Sequence, residues 1–155
     1  MLERALAIKE RTYGRDHPEV AQTLANLGNA YGRLGDQAKK RDMLERALAI
    51  KERAYGRDHP KVALTLSNLG AAVRANGDPS KAIELLERAL SINERTYGKD
   101  HMQSAYTLMK LGEVYCCLGD KGNARDFLQL ATPIFERAKN NACAKWCRNK
   151  LKSLS

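Results

Sequence analysis

Apolar residues along the chain recur at helical rather than alternating spacing. Val20, Leu24, Leu27, Gly28, Tyr31 and Leu34 lie on one stripe of a 3.6-residue period. Gly35-Asp36 interrupts it, and a second stripe runs through Met43, Leu44, Ala47, Leu48 and Ile50 before stopping near Tyr55-Gly56. Asp58-His59-Pro60 then opens the next stripe. Proline suits a first helical turn, where its missing N–H is not needed, and Asp or His ahead of it can cap. The pattern predicts helices over about 2–13, 18–34, 37–55, 60–76, 79–97, 102–118, 121–139 and 141–153. No strand pattern competes.

The stripes themselves repeat every 42 residues. LERAL stands at Leu2–Leu6, Leu44–Leu48 and Leu86–Leu90, and Tyr-Gly-basic-Asp-His at Tyr13–His17, Tyr55–His59 and Tyr97–His101. Asn-Leu-Gly at Asn26–Gly28 returns at Asn68–Gly70 and becomes Lys110-Leu111-Gly112. A period of this size marks a solenoid, in which each unit buries its apolar face against its neighbours. The expected fold is therefore all-α: a right-handed superhelical solenoid of antiparallel helix hairpins. Its divisions are a half repeat over 1–17 (the second helix only), repeats over 18–59, 60–101 and 102–139, and a capping helix over 140–155. Met1–Pro18 matches Met43–Pro60 at 17 of 18 positions, which points to recent duplication and to an array entered mid-unit. Leu2, Leu6 and Ile8 should then be incompletely covered, a condition that invites self-association.

An apolar residue precedes Leu-Gly in each unit; an aromatic (valine in the second copy) follows, then small and large apolar residues in the second helix. The copies supply Leu24, Leu27-Gly28, Tyr31, Leu44 and Ala47; Leu66, Leu69-Gly70, Val73, Ala82, Leu86 and Ala89; and Leu108, Leu111-Gly112, Tyr115, Ala124, Leu128 and Ala131. This pattern resembles the tetratricopeptide repeat (TPR). The family's usual unit has about 34 residues. The extra residues here, with HPEVAQTLANLG and HPKVALTLSNLG, resemble the subtype in kinesin light chains and nephrocystin-like scaffolds. One departure is local: Lys40 and Arg41 stand where later copies have Ala82 and Ile83. That hairpin should be the loosest, unless both long side chains snorkel outward.

Charge adds little specificity. The net charge is +9, and residues 138–155 hold Lys139, Lys145, Arg148, Lys150 and Lys152 with no acid. Such a tail favours acidic partners, peptide or nucleic acid. The four cysteines, Cys116, Cys117, Cys143 and Cys147, are confined to the C-terminal quarter. With no apolar signal segment and no membrane-length run, the chain reads as cytoplasmic, with reduced thiols.

Stacked hairpins curve, so the first helix of each pair (helix A) should line a concave groove. The groove side then carries Gln22, Ala25, Asn26, Asn29 and Arg33; Leu64, Ser67, Asn68, Ala71 and Arg74; and Tyr106, Met109, Lys110 and Glu113, with Cys117 at its end. Asn26, Asn68 and Lys110 share one repeat position, and a row of amides suits an extended peptide. The peptide-binding set is Gln22, Asn26, Asn29, Arg33, Ser67, Asn68, Arg74, Tyr106 and Lys110. The two-carboxylate clamp of some TPR cochaperones is only partly present: Asn29 and Asn68 match it and Lys110 stands where the clamp has arginine, but Ala25 and Tyr106 stand where it has lysines. The kinesin-light-chain resemblance instead implies acidic or tryptophan-containing cargo peptides, which Arg33, Arg74 and Lys110 would suit. His17, His59 and His101 recur one per unit, too far apart for shared ligation and placed to cap or pack. Cys143 and Cys147 share a helical face and read as buried thiols, with no metal or other cofactor expected. Trp146 reads as packing. No phosphate loop or nucleophile–base pair suggests an enzyme. The expected function is a scaffold or adaptor that binds an extended acidic protein segment in its groove. The alternatives are a structural or self-associating segment of a longer scaffold, or a basic RNA-contacting module.

Overall fold

The computed structural model describes residues 1–155, and every predicted stripe is a helix in it. The helices are α1 (Leu2–Tyr13), α2 (Pro18–Arg33), α3 (Gln37–Tyr55), α4 (Pro60–Ala75), α5 (Pro79–Tyr97), α6 (Met102–Cys117), α7 (Lys121–Arg137) and α8 (Asn141–Ser153). Each end lies within two residues of its sequence expectation. The chain divides into two compact units, Met1–Asp78 with α1–α4 and Pro79–Ser155 with α5–α8.

Two kinds of connection alternate, and each has its own chemistry. The tight turn after α2 closes with Asp36 N–H donating to Tyr31 O and Gly35 N–H to Gly32 O, with Gly35 at φ +87°. This is the glycine-terminated motif that satisfies the last carbonyls of a helix. Asp36 then caps α3 by accepting from Lys39 N. The turn between α7 and α8 has the same bonds, from Asn140 N to Phe135 O and from Lys139 N to Glu136 O. There Lys139 takes the left-handed conformation at φ 59° that glycine holds elsewhere. Leu34, expected on the buried stripe, is 81% exposed: it is the residue past the end of α2, where the turn carries it off the helical face. Ala25, expected on the groove, is buried instead.

In the first unit the core is built from Val20, Ala21 and Leu24 of α2 against Ala47 and Ile50 of α3, with Leu6 and Met43 packed beside it. α1 rests on α2 and has no buried residue of its own. Ile8 is 53% exposed whereas its copy Ile50 is 1% exposed, because α2 covers that face of α3 and nothing covers it on α1. In the second unit Leu108, Leu128, Ile134 and Phe135 form a core that α8 closes with Ala144 and Cys147, and Trp146 packs against it.

The helix A glycines set how closely the pairs approach. A Cβ on Gly28 would stand 3.2 Å from Lys40 O and from Met43 Cβ, and one on Gly112 would stand 2.8 Å from Leu128 Cγ. The α2–α3 pair is not loosened by Lys40. The lysine's half-buried stem lies where a Cβ on Gly32 would come within 2.6 Å of its Cδ, while Arg41 turns to Asp42 at 3.0 Å. Glycine in helix A thus makes room for lysine in helix B.

These two close approaches should respond differently to a methyl group. Gly112→Ala forces a fully buried Leu128 to shift, a strain of about 1–3 kcal/mol. That exceeds the helix-propensity gain of about 1 kcal/mol. At Gly32→Ala the obstacle is the far end of a flexible side chain, so the same gain should leave the variant no less stable. Chemical denaturation checks both; equal losses at the two sites would contradict this account.

Candidate peptide-binding surfaces

In the first unit Gln22, Asn26 and Arg33 are exposed on α2, with Asn29 half-buried beside them. The Gln22 side-chain amide donates to Asn26 Oδ1 at 3.2 Å, so two of the expected groove residues meet directly. On α4, Asn68 and Arg74 are half-buried, but Ser67 is buried and its hydroxyl is withdrawn from the surface. In the second unit Tyr106 and Lys110 are half-buried on α6. The Tyr106 ring stands edge-on to Phe135 with centroids 5.2 Å apart, and its hydroxyl accepts from Asn140 Nδ2 at 2.9 Å. Tyr106 is therefore tied to the α7–α8 core on one side.

Sequence reasoning missed a cavity of about 330 Å³ in the first unit, lined by Pro18, Glu19, Gln22, Lys51, Tyr55, Lys61 and Leu64. Lys51 reaches it from α3, and at 5% exposure it is a buried cation. Its ammonium donates to Thr65 Oγ1 at 3.0 Å, and burial followed by the charge of Lys61 holds its pKa below the usual lysine value. Lys61 stands over the Tyr55 ring, 4.6 Å from the centroid. The signal was legible only by comparing copies. Positions 9, 51, 93 and 135 read Lys, Lys, Asn and Phe, so this is where the units diverge.

The comparisons with known proteins agree with this architecture. The tetratricopeptide repeat family model matches residues 1–53, 41–95 and 73–137. The chain belongs to the tetratricopeptide repeat family. Among solved structures, a kinesin light chain candidate of Podosopora anserina with nearly identical TPR-like repeats is similar over 99% of this chain and 83% of its own, at 20% identity and TM-score 0.76. BtubC (BKLC) from P. vanneervenii is similar over 99% and 70%, at 18% identity and TM-score 0.73. MamA gives 97% and 83%, at 20% identity and TM-score 0.64. No curated protein matches the sequence. The fold class is thus the all-α TPR solenoid, and its membership supports a protein–protein interaction scaffold. No helix is long and apolar enough to cross a membrane.

Within the TPR units the repeated histidines are helix caps. The Nδ1 atoms of His17, His59 and His101 accept from Glu19, Lys61 and Gln103 N–H at 3.2, 3.1 and 3.1 Å. Their rings stack on Tyr13, Tyr55 and Tyr97 with centroids 4.8, 4.9 and 4.6 Å apart. Capping satisfies an orphan amide, and the stack fixes the imidazole that does it. No group of three or more His, Cys, Asp or Glu side chains is arranged to hold a metal.

None of the four cysteines is in a disulfide, and they differ in access: Cys117 is exposed and Cys147 is buried in the α7–α8 core. Burial pushes the Cys147 thiol up to about 11, opposed by its side-chain hydrogen bond with Thr132. An unfolded cysteine ionises near about 8.5, so the folded state favours the neutral thiol. The resulting stability is complete below about pH 8.5 and is lost as pH rises through 11. Cys147→Ala should therefore flatten the alkaline limb of a stability–pH profile relative to the native chain. At pH 8, iodoacetamide should label Cys117 and spare Cys147 until the chain unfolds. Equal labelling rates for the two thiols would contradict the burial argument.

Proposed function

We propose that the chain is a binding scaffold whose A helices, α2, α4 and α6, take an extended acidic segment of a partner protein. In this reading the repeats run over 18–59, 60–101 and 102–139, after a half repeat over 1–17 and before a cap over 140–155. The working compartment is the cytoplasm. The observation that carries the reading is the repeat position shared by Asn26, Asn68 and Lys110. It supplies two amides, exposed at Asn26 and half-buried at Asn68, and one half-buried cation. An amide can both donate to and accept from an extended backbone, and the lysine, with Arg33 and Arg74, favours carboxylates. Contacts of this kind read backbone and charge, with little demand on side-chain shape.

Replacing Asn68 and Lys110 by alanine together should weaken a peptide captured by the full chain on the order of 100-fold. Tm should move by only a few degrees, about the effect of ordinary surface substitutions. Unchanged affinity for that peptide would sink the assignment.

A second reading has its own observation, the uncovered face of α1 on which Ile8 is 53% exposed. Here the chain associates with itself through that face. Sedimentation at increasing concentration tests it: the native chain should form dimers that Ile8→Asp dissolves, and a monomer throughout would remove this reading.

A further inference from the structure

The cavity of the first unit has a feature that the scaffold reading does not use. Lys51 is buried to 5% exposure, yet its ammonium has a single hydrogen bond, to Thr65 Oγ1, and no carboxylate pairs with it. An ammonium has three donors, and a buried cation is costly unless paired. Thr65 is itself committed, donating to Lys61 O at 3.2 Å. The acid that lines the cavity, Glu19, is held by Lys9 at 3.1 Å. Lys61 adds a second positive charge at the same cavity, fixed over the Tyr55 ring.

The second unit shows what a purely structural solution looks like at this position. There Asn93, also buried, donates to Thr107 Oγ1 at 3.2 Å and to Gln103 O at 3.4 Å. A neutral amide thus meets Thr107, the copy of Thr65, without burying a charge. Lysine at position 51 adds an unbalanced cation at the floor of a space of about 330 Å³.

We propose that this cavity binds a carboxylate side chain of the partner peptide, with Lys51 as the buried counter-ion, Lys61 as the second cation and Gln22 as a neutral donor. The anion would complete the hydrogen bonding of Lys51, and Leu64 and Tyr55 would flank the methylene stem that carries it. Two cations, with the one lining acid held by Lys9, select a negative group, and the depth of Lys51 beneath the exposed rim selects one carried on a stem. The inference rests on the peptide-scaffold reading in one respect, that the carboxylate arrives on a peptide.

The test is an NMR titration of the full chain, labelled with ¹⁵N, using Ac-Ala-Glu-Ala-NH2, its glutamine analogue and inorganic phosphate at matched ionic strength. The glutamate peptide should shift the amides of Lys51, Tyr55, Lys61 and Thr65 saturably, and the glutamine peptide should not. Lys51→Asn, which copies the residue the second unit holds, should fold and weaken this response at least about tenfold. Lys51→Met, which keeps the buried stem without the charge, should do the same. The proposal is overturned if the glutamine peptide gives the same shifts, if both variants respond like the native chain, or if phosphate matches the glutamate peptide. If Asn68→Ala with Lys110→Ala abolishes capture of a partner peptide while Lys51→Asn does not, the scaffold reading stands and this site falls.

Discussion

The constraint on which the α2–α3 and α6–α7 hairpins depend is the close approach of the second helix to a glycine of the first. At Gly28 an added Cβ would meet the carbonyl oxygen of Lys40, and at Gly112 it would meet the buried Leu128. Helices that approach this closely need small residues along the seam, which is why alanines such as Ala47 and Ala124 are fully buried. Larger residues, Leu24 and Leu128 among them, fill the space on either side. The rest of each unit follows from that spacing. Turns can be short because the helix ends are near, and the polar faces are left for solvent and ligand.

Between hairpins, a different device sets the start of each helix A. Tyrosine ends one helix, glycine turns the chain at a positive φ, and histidine caps the next helix while stacking on the tyrosine. One short motif therefore supplies a stop, a bend, a start and a brace. Its regular recurrence explains why histidines that look like a metal set in the sequence are structural. Each Nδ1 is already an acceptor for an amide of its own helix.

Helices and their pairing were legible because several local signals agreed at each boundary: period, cap, glycine and proline. Burial was less legible at the ends of stripes. Leu34 continues the apolar spacing but lies past the last helical turn, so periodicity alone placed it wrongly. The candidate surface was legible only in part. Helical spacing put Asn26 and Arg33 outward, but it could not know that Ser67 is covered or that Tyr106 leans on Phe135 and binds Asn140. Those outcomes depend on helices distant in sequence. Lys51 escaped for the opposite reason: a lysine in a helix is read as solvated unless its neighbours are known.

The exchange of Gly32 and Lys40 bears on how such an array can change over time. Stretches such as Met1–Pro18 and Met43–Pro60, identical at 17 of 18 positions, are natural substrates for unequal recombination, which would gain, lose or shuffle units. Yet the residues at these two positions are matched in size, since the Lys40 stem occupies the space beside Gly32. Where the first copy has Gly32, the next has Arg74, and where it has Lys40, the next has Ala82. A crossover between the two helices of a unit would set arginine against the lysine stem, or glycine beside alanine with a void between them. Crossovers in the Tyr-Gly-Arg-Asp-His loop would keep each pair together. The hairpin is thus the smallest heritable cassette, and the sequence near its loops can stay uniform while the seams diverge.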